Sequence, residues 1–115
     1  MENYKQLDSF EKVLAVKGET IEQFNERTKG LDADTVGYEK VKAIAFAMNG
    51  GKHVTEGYYP WFRNPNRSVA GFSYFDYYYV NDYSFVGARH LMEDSDAAIY
   101  AGKTFPNEYS EYING

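Results

Sequence analysis

Gly71-Phe72-Ser73-Tyr74-Phe75-Asp76-Tyr77-Tyr78-Tyr79-Val80 decides the fold class of this chain. Six of its ten residues are aromatic, and aromatic side chains suit the half-buried pleat of a strand. The stretch predicts a β-strand over residues 70–80. Upstream, Tyr58-Tyr59-Pro60-Trp61-Phe62 predicts a first strand. Pro60 has no N–H for a ladder, which puts that strand at a sheet edge. Asn64-Pro65-Asn66-Arg67 supplies a turn between the two. Downstream, Asn81-Asp82 tolerate positive φ and suit a two-residue hairpin. Residues 83–92 then predict a third strand, and the simplest joining of the three is an antiparallel meander.

Ahead of the strands the apolar period is helical. Asp8 reads as the N-cap of a first helix, with Glu11 three residues on and Phe10, Val13 and Leu14 along one face. Gly18 ends it. Thr20-Ile21-Glu22-Gln23 fits a capping box and opens a second helix, closed by Gly30. A third runs from about Thr35 to Met48, with Val41, Ile44, Ala45 and Met48 as its buried stripe and Asn49-Gly50-Gly51 as its stop. After the strands, Asp94-Ser95-Asp96 caps a last helix. Ala98, Gly102, Phe105, Tyr109 and Tyr112 form its seam. Pro106 removes a backbone donor and clashes with the carbonyl of Gly102, which predicts a kink or break near Thr104. The expected fold class is α+β: three short N-terminal helices, a three-stranded antiparallel β-meander and a C-terminal helix packed on the sheet. Residues 1–115 read as a single domain, with 1–7 as a flexible polar tail.

Composition removes whole classes of chemistry. No cysteine is present, so disulfides, zinc–thiolate sites and thiol catalysis are excluded. Net charge is −5, which forgoes the counterion-release affinity that drives phosphate binding. Neither a signal-peptide run nor a membrane-length apolar run occurs. The expectation is a cytoplasmic protein of a host cell, or one carried on a virion, with no membrane association and no cofactor.

The order of features carries a resemblance. Thr20-x-x-x-Phe24, Ala43-x-x-x-Ala47-Met48-Asn49-Gly50-Gly51 and Tyr59-Pro60-Trp61-Phe62 are followed by Val86-Gly87-Ala88-Arg89-His90-Leu91 and Ala98-x-Tyr100-Ala101-Gly102-Lys103-x-Phe105. This pattern, from Phe10 to Tyr112, resembles a group of small uncharacterised proteins encoded by phages, prophages and other mobile elements of anaerobic gut bacteria. In that group a polar or acidic residue stands where this chain has Pro106. The resemblance implies a mobile-element context and carries over no site residue.

Candidate chemistry is sparse. His90, with Glu93 and Asp94 after it, could do acid–base work in a small enzyme. Against that, a strand-end histidine on the surface explains the same residues. His53 reads as a loop residue, and two histidines without supporting ligands do not make a metal site. Gly50-Gly51-Lys52 lacks the rest of a phosphate-binding loop and reads as a helix stop. Arg63 and Arg67, with Lys52, form a modest basic cluster beside aromatics that could stack single-stranded bases. The acidic balance makes nucleic acid the lesser alternative.

Strand alternation divides residues 72–79 into two faces, Phe72, Tyr74, Asp76 and Tyr78 against Ser73, Phe75, Tyr77 and Tyr79. Both faces are aromatic, whereas a half-exposed sheet should show one polar face. Of the 21 aromatic residues, 12 fall between Tyr58 and Phe85, more than the few helices can readily cover. The sequence therefore predicts a non-enzymatic module that binds a protein partner or a second copy of itself. Its binding set is Trp61, Arg63, Phe75, Tyr77 and Tyr79.

Overall fold

The computed structural model describes residues 3–54, 56–63, 73–81 and 90–114. The first three helices follow their capping chemistry. Helix α1, Phe10–Ala15, starts one residue later than its sequence suggests. Ser9 is the N-cap, its Oγ accepting the Lys12 N–H at 3.3 Å, while the Asp8 carboxylate pairs with the Lys12 ammonium at 2.8 Å. Helix α2, Ile21–Arg27, carries the full capping box. The Gln23 N–H donates to Thr20 Oγ1 at 3.1 Å, and the Thr20 N–H to Gln23 Oε1 at 2.9 Å. Helix α3, Ala33–Met48, stops at the predicted glycines. Gly50 and Gly51 take φ of 74° and 93°, and the Gly51 N–H returns to the Phe46 carbonyl at 2.9 Å.

These helices bury the larger part of the core. Val13, Leu14, Phe24, Val41, Ile44 and Met48 are all at most 2% exposed. The segment read as a polar tail contributes to it. Asn3–Gln6 make a 3-10 turn, and Tyr4 is buried with its ring edge-on to Tyr100, 5.5 Å between centroids. The Tyr100 hydroxyl donates to the carbonyls of Lys5 and Leu7.

The fold is α+β, but the expected element count is corrected twice. First, the C-terminal region is two helices, α4 over Ser95–Thr104 and α5 over Pro106–Asn114, giving five α-helices among the described residues. Proline cannot continue α4, yet it suits the first position of a new helix, where no N–H is required. The chain turns at Phe105, and the two helices diverge. Helix α4 lies along both strands, whereas α5 packs along α3. Gly37 of α3 makes that second contact close, since a Cβ there would overlap the backbone of Tyr112.

Second, the described sheet has two strands, not three. β1, Glu56–Arg63, pairs antiparallel with β2, Ser73–Asn81. The expected turns at 64–67 and at Asp82, and most of the expected third strand, lie outside the described residues. Its described end does not extend a meander. Met92 bridges Tyr58 on β1, not β2, with Tyr58 N–H to Met92 O at 2.7 Å and Met92 N–H to Tyr58 O at 2.8 Å. On either side of that bridge the backbone is claimed by the Asn49 side chain. Asn49 Nδ2 donates to the Leu91 carbonyl and Oδ1 accepts the Glu93 N–H, both at 2.9 Å. The alternate polar groups that a strand would offer a neighbour are spent on the end of α3, and Asp94 then caps α4 through the Asp96 N–H. Gly57 permits the bridge, because a Cβ there would overlap the Met92 carbonyl oxygen.

Candidate functional site

The β1–β2 ribbon carries the aromatic residues that the sequence singles out, and its register decides how they are grouped. Tyr58 pairs with Tyr79, Tyr59 with Tyr78, Pro60 with Tyr77, Trp61 with Asp76, Phe62 with Tyr74 and Arg63 with Ser73. The register shifts between Trp61 and Phe62, which leaves Phe75 as the extra residue of a bulge on β2. Simple alternation fails at that point. Tyr74 and Tyr77, expected on opposite faces, share the side of Phe62, Pro60 and Tyr58. Ring contacts agree, with centroids 6.4 Å apart for Phe62 and Tyr74 and 5.5 Å apart for Tyr58 and Tyr77.

Helix α4 covers this side only in part. Gly102 brings it close, since an added Cβ would overlap the Tyr74 ring and lie 2.8 Å from Pro60 Cβ. Pro60 and Phe62 are buried there, and Phe62 also meets Tyr109 of α5 at 5.0 Å. Tyr74 is half-buried under the Lys103 ammonium, 5.6 Å from the ring centroid. Burial, with the Asp76 carboxylate and Tyr77 nearby, raises the Tyr74 phenol above its usual pKa. Tyr77, further along the ribbon, is 36% exposed.

Pro60 costs the ladder nothing. Tyr58, two residues earlier, turns its N–H and carbonyl outward to Met92, so Pro60 also sits at a position whose N–H would point away from β2. By the same alternation the Tyr77 N–H faces the outer edge of β2. It is already held there by Asp76 Oδ1 at 2.8 Å. A side chain that occupies an edge donor blunts strand addition, which favours the face of the ribbon over its edge as a contact surface.

Tyr58 also walls an open pocket of about 410 Å³, with Tyr4, Met48, Glu93, Asp94 and Ser95. The Glu93 carboxylate lies 3.1 Å from the Lys52 ammonium, both partly exposed. The aromatic face and this acidic hollow therefore adjoin through Tyr58.

Of the expected binding set, Trp61 and Arg63 lie on β1 and Phe75, Tyr77 and Tyr79 on β2. Trp61–Asp76 and Pro60–Tyr77 are successive pairs and so occupy opposite faces. The set is not one surface. Apart from Tyr77, its side chains lie outside the described residues, as does Arg67. The acid–base grouping is also divided. Glu93 and Asp94 reach the pocket, whereas the His90 ring lies against Tyr59 and Tyr38, at 5.7 and 6.4 Å between centroids, and is not part of the pocket wall. His53 is exposed beside Phe46, 5.0 Å between rings. Among the described residues, no three His, Asp or Glu side chains are grouped to hold a metal, and no helix is long and apolar enough to cross a membrane.

Two contributors were not legible in the sequence. Asn49 reads there only as a helix stop, yet its side chain fixes the chain that brings Glu93 and Asp94 to the pocket. Its partners lie 42 and 44 residues away, and no local pattern announces them. Tyr4 reads as part of a tail, and an aromatic residue within a polar run was its one signal. No protein-family model, curated protein or solved structure matches this chain.

Proposed function

We propose that this chain is a non-enzymatic interaction module that takes a protein partner on the aromatic side of its β-ribbon, around Tyr77 and Tyr58. The observation that carries the reading is Tyr77, an exposed aromatic whose ring leans on Tyr58 at the rim of an open pocket. A rigid aromatic residue beside a hollow is the usual anatomy of an interface anchor. Tyrosine suits the role because its ring buries a large apolar area while its hydroxyl tolerates water. Glu93 and Asp94 in the hollow, with a net charge of −5, argue against a phosphate-rich partner. The proposed setting, a phage or other mobile element, rests on the sequence resemblance described above.

A second copy of the chain is the partner to test first, by light scattering over a concentration series. The expected result is a solution mass above the monomer's 13.2 kDa that falls toward it in Tyr77→Ser. The melting temperature of that variant should barely move. A wild type that stays monomeric throughout would remove the second copy as partner. Association undiminished by Tyr77→Ser would remove this face of the ribbon as the surface.

A further inference from the structure

We draw no further inference here: the strongest candidate, the open pocket between Tyr4, Met48, Tyr58 and the Glu93–Ser95 turn, is an acidic helix N-terminus with no second observation to say what it would hold.

Discussion

The N-terminal helices and the β-ribbon are built from apolar residues of different kinds, and they treat them differently. In α1–α3 the apolar residues are chiefly aliphatic, and Val13, Leu14, Val41, Ile44 and Met48 are closed off from solvent. In the ribbon they are aromatic, and among the described ones Phe62 is buried, Tyr58, Tyr59 and Tyr74 are half-buried, and Tyr77 is exposed. A helix can turn one stripe inward and keep the rest polar. A strand with aromatics at successive positions cannot, because neighbours point to opposite faces. The helical region is thus suited to holding the fold and the ribbon to offering a surface. That division can be tested one residue at a time.

The sharpest contrast should be between Phe24→Ala and Tyr77→Ser. Phe24 is fully buried, edge-on to Phe10 and beneath the Arg27 guanidinium. Its truncation should cost about 3–5 kcal/mol in denaturant unfolding, for lost transfer energy plus a cavity. Tyr77→Ser should stay within about 0.5 kcal/mol of wild type, as surface changes do. A ribbon variant that unfolds the chain as readily as Phe24→Ala would mark Tyr77 as core and erase the distinction.

Asn49→Ala probes the junction of the two regions. It leaves the Leu91 carbonyl and the Glu93 N–H without their buried partner, at a cost of about 2 kcal/mol. Hydrogen exchange at the Glu93 amide should accelerate more than at Phe24. Unchanged protection at Glu93 would mean that Asn49 does not pin this segment.

Within the helical region a smaller loss is expected from Thr20→Ala. It removes half of the capping box, worth about 1 kcal/mol. Because Thr20 is far in the chain from the ribbon, self-association of the folded protein should be unaffected. Weakened association at matched folded concentration would tie the ribbon to α2 in a way these contacts do not provide.

The mildest test concerns pH. The hydrogen bond from Arg27 holds the Glu19 carboxyl below its usual 4.5. Burial pushes the Glu39 carboxyl up, but hydrogen bonds from Lys42 and Arg27 outweigh it and leave the pKa lowered. A lowered folded pKa contributes stability that is present above about 4.5 and is lost as pH falls through the folded values. Melting temperature should therefore decline more gently below pH 4.5 in Arg27→Gln than in wild type, with parallel curves near neutrality. The effect is small because Arg27 is partly exposed. Parallel acid limbs would show that this network does not set the acid response.

Helix starts and stops were legible because their causes are local. The Thr20–Gln23 box, the Gly50-Gly51 stop and the Asp94 cap each lie within a few residues of what they control. Asp8 was misread because Ser9 beside it is an equally good cap, and spacing alone does not choose between them. Pro106 signalled a break, but not that the second helix would leave the ribbon for α3. The binding set suffered most, since a single bulged residue reverses the alternation for everything beyond it.

By itself, then, the sequence determined the α+β class, the helical caps, the two aromatic strands and the interruption before Pro106. Each is encoded by neighbours in the chain, through dihedral preference, capping or side-chain period. Tertiary structure alone decided that Met92 meets β1, that Asn49 holds both sides of that bridge, and that Tyr74 and Tyr77 share a face. Those outcomes depend on residues far apart in sequence arriving at one place, and on close approaches that Gly57 and Gly102 permit only once their partners are in position.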